Sequence, residues 1–291
     1  MSFIIHKLLH IFLSESLYLC RVFELLNNYS NVLKWLCLIL HFTQPSHAML
    51  IHTQFLMDTI KNLGYGFHGT SYEYILNQAA LHLGKPKESL NIIACHLGAG
   101  SSMAAIKGGV CIDTTMGITP LEGLVMATRS GDIDPAIYEI LESQKGLTAT
   151  KINNILNKES GLYGICGEKD MKSIIELSEA GSEMHKLALQ VFIHRVRKYL
   201  GAYYLNLGGK VDAVLFSAGI GERSSIVRQM VCSNLEMLGL VVDAHKNDAD
   251  EKGIREIQAQ NSRIKVIVVP TDEELCIAEQ TLSIVEKSPS R

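Results

Sequence analysis

His96 is the second-to-last residue of an apolar run, "NIIACHL", and this run is followed at once by the glycine-rich turn "GAGSS". Glycines after a strand make a tight turn that a hairpin could use for folding alone. They also let backbone N–H groups approach an anion closely, as phosphate-binding loops do. The stretch therefore predicts either a plain hairpin or a loop that contacts phosphate.

An arginine and a second histidine lie in two other glycine-containing turns. Arg129, in "ATRSGDIDP", could pair with Asp132 or Asp134, or could stabilise the equatorial oxygens of a phosphoryl group in transfer. His68, in "YGFHGTS", could be a structural turn histidine or a hydrogen-bond donor to the same oxygens. Taken one by one, the structural interpretation of each residue is the simpler one.

A second glycine-rich turn, "SAGIGE", follows the apolar run 213–217 and precedes a helix predicted from about residue 224. The N–H groups and the dipole at the start of a helix favour phosphate or ribose oxygens. The chain contains no GxxxxGK[ST] sequence, which excludes a P-loop.

The segment "PTDEEL" follows the last apolar run of the chain. Thr271 and Glu274 have the spacing of a capping box, with Thr271 as the N-cap of a helix. This leaves Glu273 without a structural role. A carboxylate at a strand-to-helix junction could hold Mg²⁺ directly or through water.

Strands and helices alternate in the elements that must position these residues. The three apolar runs of 91–115 predict consecutive antiparallel strands, and Asp134 with Pro135 predicts a helix start. A glycine-rich loop is predicted at 159–167, and a long helical tract over 172–207 is interrupted near Gly181. The pattern predicts an α/β fold with a mixed sheet.

Composition excludes several classes of protein. The 291 residues carry a formal charge of -3, which argues against a nucleic-acid partner. Seven scattered cysteines, without CxxC pairs, predict reduced thiols in a cytosolic protein. Eleven histidines show no HExxH or similar ligand spacing, so no structural metal site is expected.

The first 42 residues are dense in leucine, isoleucine and phenylalanine. Five charged residues break this stretch into pieces too short for a membrane span, and it fits a signal peptide poorly. Apolar residues at helical spacing predict helices here. The first aspartate of the chain is Asp58.

The motifs together resemble one family. "YGFHGTS", "CHLGAGSS", "DTTMGITPLEGLVMATRSGDIDP", "ESGLYGICG", "SAGIGERSSIVR" and "VVPTDEEL" occur in the order and at nearly the spacing found in acetate kinases, which belong to the superfamily of sugar kinases and actin-like ATPases. The resemblance covers about residues 62–288. It implies an α/β, actin-like ATPase (ribonuclease H-like) mixed-sheet domain at 62–291. Residues 1–61 are then an atypical, helical remnant or replacement of the family's N-terminal domain.

The resemblance also implies an activity, namely transfer of the γ-phosphoryl of ATP to acetate, giving ADP and acetyl phosphate, with Mg²⁺. A cytoplasmic homodimer without nucleic-acid or membrane partners is implied as well. By position, His68 and Arg129 match the transition-state-stabilising pair, and Glu273 matches the magnesium ligand. The matching nucleotide-contacting residues are His96, Leu97, Gly98, Ala99, Gly100, Asp170, Met171, Lys172, Gly219, Ile220, Gly221, Glu222 and Arg223.

The chain departs from the family pattern at several positions. Ala99 and Arg223 each stand where the family has asparagine, Lys172 replaces an arginine, and Tyr72 replaces a second histidine. Lysine lacks the planar bidentate geometry of arginine. The region 41–50 resembles the family's Phe-Asp-Thr segment but lacks its catalytic aspartate.

Three hypotheses follow. The chain is an acetate kinase-type enzyme, as the retention of His68, Arg129 and Glu273 suggests. It is a non-catalytic nucleotide-binding or dimerising remnant, as the missing aspartate suggests. It is a kinase of another short-chain acid such as propionate, because those enzymes share these motifs.

Overall fold

A six-stranded mixed sheet forms the centre of the computed structural model, which describes residues 67–277. The strand order is β3-β2-β1-β4-β6-β5. β1, β4 and β6 run parallel, and the remaining pairs are antiparallel. This arrangement confirms the predicted α/β fold, including the β1–β2–β3 meander; the helices expected in 1–61 lie outside the described residues. The strands are Asn91–Leu97 (β1), Ser101–Lys107 (β2), Val110–Thr114 (β3), Ala213–Ser217 (β4), Arg255–Glu256 (β5) and Lys265–Val268 (β6).

The helices cover both faces of the sheet. Apolar side chains of β1 alternate between the two faces because successive residues of a strand point to opposite sides. Ile92 and Ala94 share a buried cluster with residues of α1, whereas Ile93 and Cys95 share the larger cluster with residues of α6. The helices are Gly69–Leu83 (α1), Ile137–Lys145 (α2), Ala149–Lys158 (α3), Gly161–Cys166 (α4), Met171–Glu179 (α5), Glu183–Asn206 (α6), Ala218–Arg223 (α7), Ser225–Cys232 (α8) and Ala244–Asp248 (α9).

The parallel strands set the location of the site. β1, β4 and β6 end at Leu97, Ser217 and Val268, and the carboxyl ends of parallel strands lie at the same edge of a sheet. The segments that follow them, 98–100, 218–223 and 269–273, therefore share that edge. These segments contain most of the residues singled out from the sequence.

Three local predictions were wrong. The helix expected at Asp134 and Pro135 begins at Ile137, because the Asp134 carboxylate first accepts a hydrogen bond from Ala136 N (2.9 Å) in a preceding turn. The expected loop at 159–167 contains α4. The expected turn at 218–222 is itself helical, as α7, and α8 then begins at Ser225, close to the predicted start.

The capping box predicted at Thr271 is also absent. Asp272 caps the last described helical turn, since its carboxylate accepts from Leu275 N at 2.9 Å. Thr271 Oγ1 instead hydrogen-bonds Ser71 Oγ at 2.9 Å, a partner 200 residues away. A tertiary contact thus replaces the local one.

Two further properties bear on the sequence-based expectations. The five cysteines in the described part of the chain are all free thiols. Within residues 67–277, no helix is both long and apolar enough to cross a membrane.

Candidate active site

His68 precedes α1 in a left-handed backbone conformation, with φ 59° and ψ 15°. This conformation is uncommon for residues other than glycine, although histidine is among those enriched in it. The His68 ring is held by Ser102, whose Oγ lies 2.8 Å from Nδ1. The turn therefore presents Nε2 rather than Nδ1 to the space above the β1–β2 loop.

His96 lies at the end of β1, directly opposite Ser102 of β2. Its Nδ1 lies 2.8 Å from Ser71 Oγ, which in turn contacts Thr271. The rings of His68 and His96 stack, with centroids 3.9 Å apart and an interplanar angle of 22°. The start of α1, the end of β1 and the segment after β6 thus meet in one hydrogen-bonded cluster.

Both histidines are held in the neutral form near pH 7. Burial lowers the pKa of His96 to about 4. Burial, followed by the effects of His96 and Arg129, lowers the pKa of His68 well below its usual value. Two stacked imidazolium cations would repel each other, and the lowered pKa values prevent that arrangement.

Arg129 and His68 approach the same point above Gly100. A Cβ at position 100 would lie 3.5 Å from Arg129 Nη1 and 3.7 Å from His68 Nε2. The absence of a side chain at Gly100 leaves this space open. A guanidinium and an imidazole that both reach within 4 Å of this point form a place for an anionic oxygen.

The loop that carries Arg129 is fixed on two sides. Ala127 N donates to Ala99 O at 3.1 Å, which ties the loop to the turn after β1. On the other side, Leu162 N at the start of α4 donates to Met126 O at 2.9 Å. Gly161 makes this contact possible, because its φ is +62° and a Cβ there would lie only 2.2 Å from Met126 O.

Helix α6 braces the same loop through Asp132. Arg195 Nη1 lies 3.3 Å from the Asp132 carboxylate and donates to Gly123 O at 2.8 Å. Tyr199 donates to Asp132 Oδ2 at 2.9 Å. The carboxylates of Asp132 and Asp134, considered above as partners of Arg129, thus have partners in α6 and at the start of α2.

The glycine-rich α7 lies beside the segment that carries Glu273. Glu222 Oε1 accepts from Thr271 N at 3.2 Å, two residues before Glu273. Gly219 and Arg223 are exposed, Gly221 is buried and Ile220 is half-buried. Glu273 is also exposed, yet the protein around it desolvates its carboxyl enough to raise the pKa of Glu273.

The predicted segment 170–172 forms the beginning of α5. The Asp170 carboxylate caps this helix by accepting from Ser173 N at 3.0 Å, and Met171 is buried. Lys172 forms an exposed ion pair with Glu176 at 3.9 Å. These contacts of residues 170–172 are local to α5 and do not involve the cluster around His68.

Three hydroxyl residues in the cluster were not predicted as site residues: Ser71, Ser102 and Thr271. Ser71 and Ser102 stand inside the quoted motifs, and the hairpin register would have placed Ser102 opposite His96. Thr271 also stands in a quoted motif, but the local pattern predicted it as a helix cap, because its observed contact joins segments 200 residues apart.

Comparison with known proteins identifies the family of the chain. A model of the "Acetokinase family" matches residues 39–279. The chain belongs to the acetokinase family. The match includes the region 41–50, where the sequence resembles the family's Phe-Asp-Thr segment without its aspartate.

Several proteins that are similar to this chain carry the name acetate kinase. The chain is 51% identical over 247 residues to the acetate kinase of Oleidesulfovibrio alaskensis, covering 84% of this chain and 61% of that one. Among solved structures, the acetate kinase of Porphyromonas gingivalis superposes with a TM-score of 0.81 at 37% identity, over 85% of this chain and 63% of that one. A propionate kinase from Francisella tularensis superposes with a TM-score of 0.77 at 40% identity, over 83% of this chain and 62% of that one. The chain thus spans about three fifths of the length of these relatives.

Proposed function

We propose that the chain is an acetate kinase-type phosphotransferase that converts ATP and acetate to ADP and acetyl phosphate. A carboxylate oxygen forms a bond to the γ-phosphorus while the bond from that phosphorus to the ADP oxygen breaks. The observation that carries the proposal is the approach of Arg129 Nη1 and His68 Nε2 to one point above Gly100. Positive charge and hydrogen-bond donors there stabilise equatorial phosphoryl oxygens.

His68 and Arg129 have different parts in this proposal. The neutral imidazole of His68 binds an oxygen through a hydrogen bond, and Ser102 fixes the ring for that purpose. Arg129 supplies the positive charge, and its loop is held by α4 and braced by α6. A rigid donor pair needs little reorganisation as charge develops on the oxygens.

The nucleotide is proposed to lie along the edge of the sheet. His96, Leu97, Gly98, Ala99 and Gly100 would contact its phosphates, and α7 with 170–172 would contact its nucleoside. A cleft of roughly 610 Å³ borders Glu222 and Arg223 and leaves room beside α7. Ala99 contributes a backbone carbonyl to the Arg129 loop rather than an amide side chain to a ligand.

Glu273 is the residue proposed to hold Mg²⁺. Among residues 67–277, no group of three or more His, Cys, Asp or Glu side chains could enclose a metal. A single carboxylate is compatible with Mg²⁺, which usually keeps several waters and binds through one or two carboxylates plus substrate phosphates. When bound, the ion would neutralise phosphate charge.

Two measurements on the full chain test the proposal: calorimetric titration with Mg·ADP and a coupled assay of acetyl phosphate formation. We expect binding and turnover, with His68→Ala and Arg129→Ala each lowering kcat by about 100-fold or more. His194→Ala, at an exposed position of α6, serves as the control and should keep the wild-type rate. Binding without turnover would contradict the kinase proposal and establish a nucleotide-binding remnant. Absence of binding would contradict both.

Propionate is the second candidate acceptor, favoured by the superposition on the propionate kinase. The comparison of kcat/KM for acetate and for propionate under saturating Mg·ATP distinguishes the two. A higher value for propionate would reassign the acceptor and leave the phosphoryl-transfer proposal intact.

Homodimer formation and a cytoplasmic location are also proposed, on the basis of the family resemblance. Light scattering of the purified chain tests the first, with twice the 32.2 kDa chain mass as the expected result. Cell fractionation tests the second.

A further inference from the structure

A buried chain of hydrogen bonds ends on His68. Tyr72 Oη, from the first turn of α1, contacts Ser102 Oγ, and Ser102 Oγ lies 2.8 Å from His68 Nδ1. The side chains of Tyr72 and Ser102 are both fully buried. Each hydroxyl has one hydrogen to donate, so the direction of the chain can be worked out.

The phenol of Tyr72 sets that direction. Among residues 67–277, Ser102 Oγ is the hydrogen-bond partner found for Tyr72 Oη. If Ser102 donated to Tyr72, the phenolic hydrogen would be buried without an acceptor, at a cost of about 1–3 kcal/mol. Burial also raises the pKa of Tyr72, so the phenol keeps its hydrogen. Tyr72 therefore donates to Ser102.

The remaining step follows from counting hydrogens. Ser102 Oγ accepts from Tyr72, and His68 Nδ1 is its other partner within residues 67–277. If Nδ1 donated as well, the buried hydrogen of Ser102 would have no acceptor there, so Ser102 donates to His68 Nδ1. A neutral imidazole that accepts at Nδ1 carries its hydrogen on Nε2. His68 Nε2 is the atom that would lie 3.7 Å from a Cβ at position 100, where Arg129 Nη1 would lie 3.5 Å away.

The neighbouring histidine shows that this constraint is specific. His96 Nδ1 contacts Ser71 Oγ, and Ser71 contacts Thr271 Oγ1, so that chain consists of two aliphatic hydroxyls that rotate freely about their C–O bonds. Either direction satisfies both of them. Of these two histidines, His68 is the one that hydrogen bonds within residues 67–277 link to the hydroxyl of a buried phenol.

We infer that Tyr72 is a positioning residue that, through Ser102, holds His68 in the tautomer with hydrogen on Nε2. The inference rests on the proposed function for what the N–H meets, namely a phosphoryl oxygen. A donor at Nε2 attracts such an oxygen, whereas the lone pair of the other tautomer would repel it. Tyr72 thus has a role at the position where the sequence departs from the family's histidine.

Heteronuclear NMR on the full chain carrying nitrogen-labelled histidine tests the tautomer directly, because protonated and unprotonated ring nitrogens have well-separated shifts. The signals lost in His68→Gln assign the ring. We expect Nε2–H in the wild type and partial protonation of Nδ1 in Tyr72→Phe. Tyr163→Phe, at an exposed ring, should leave the His68 signals unchanged. A wild-type ring protonated on Nδ1 would overturn the inference, even if Tyr72→Phe failed to fold.

Kinetics provide a second measurement that separates the two proposals. In an active chain, Tyr72→Phe should lower kcat by about 10-fold with little change in KM for ATP, since the tautomer matters most as charge develops. The His68→Gln variant, whose amide can reach the Nε2 position, should retain more activity than His68→Asn. An unchanged kcat in Tyr72→Phe would contradict the positioning role. Lack of turnover in the wild type would contradict the proposed function alone, because the NMR result does not depend on activity.

Discussion

Gly100 contributes to the candidate site through the space that it leaves open. Its φ lies outside the left-handed range, so its backbone does not require glycine. The nearest side-chain atoms to a Cβ there would belong to Arg129 and His68, at ordinary contact distances of 3.5–3.8 Å. Room for a ligand within reach of two donors is therefore what the glycine provides.

Gly100→Ala should separate folding from binding. The added methyl meets no clash, so we expect the free energy of unfolding in urea to change by less than about 0.5 kcal/mol. The methyl occupies the space next to the two donors, so the affinity for Mg·ADP or the rate of phosphoryl transfer should fall by about 10-fold or more. Gly201→Ala in α6, where a Cβ has nothing within 4 Å, is the control. Full activity in Gly100→Ala would place the ligand elsewhere.

At the scale of elements, α7, α8 and α9 are joined by one buried side chain. Arg228 of α8 is 1% exposed. It donates to Gly221 O (3.0 Å) and Glu222 O (2.8 Å) of α7, and to the carbonyl and side-chain oxygens of Asn247 in α9. Carbonyl groups at the end of a helix lack intrahelical hydrogen-bond donors, and the Arg228 guanidinium donates to two such carbonyls of α7. Burial lowers the pKa of Arg228 to about 10, which still leaves it charged near pH 7.

Arg228→Ala should destabilise the fold strongly. Its removal leaves several buried oxygens without donors, and we expect a loss of about 3 kcal/mol or more in the free energy of unfolding. Denaturation in urea measures this loss. Gln229→Ala, at the next and exposed position of α8, should change stability by less than about 0.5 kcal/mol. Equal effects of the two substitutions would show that the buried network contributes little.

The elements also show what the sequence could predict. The three short apolar runs of 91–115 and the "GAGSS" turn predicted β1, β2 and β3, because the signals for a hairpin are local in the sequence. Thr271 was misassigned as a cap because its hydroxyl bonds Ser71 across 200 residues, a contact that no local pattern encodes. The α4 segment looked like a loop from its glycines. Its first turn is helical because Leu162 N and Tyr163 N find acceptors in the Arg129 loop.

At the scale of the whole molecule, the site depends on the sheet as a unit. His68 comes from the turn before α1, Ser71 from α1, His96 from β1 and Thr271 from the segment after β6, and all of them meet at one edge. Both histidines are neutral in this cluster; His96 is buried and His68 is partly buried. The stability of the fold should therefore depend on pH in a predictable direction.

Lowering the pH from about 6.5 to about 4 should weaken the fold. In this range the unfolded chain protonates its histidines, whereas the folded state keeps His96 neutral until its pKa of about 4. The unfolded state then binds more protons than the folded state. The free energy of unfolding therefore decreases as the pH is lowered, by at most about 1.4 kcal/mol per pH unit from this group. Urea midpoints between pH 7 and pH 4.5 measure the effect.

His96→Gln should show a shallower pH dependence than the wild type. His194→Gln, at an exposed position, should retain the wild-type dependence. Identical slopes in all three chains would mean that His96 is not buried as a neutral group.

The hydrogen bond between Ser71 and Thr271 has a consequence for the order in which native contacts form during synthesis. A ribosome releases Ser71, β1 and His96 long before it reaches Thr271, and β6 must join β4 before Thr271 lies near its partner. A nascent chain can thus form the β1–β2–β3 meander early and from local contacts. The link from Ser71 to Thr271 forms late, after nearly all of the described chain has been synthesised.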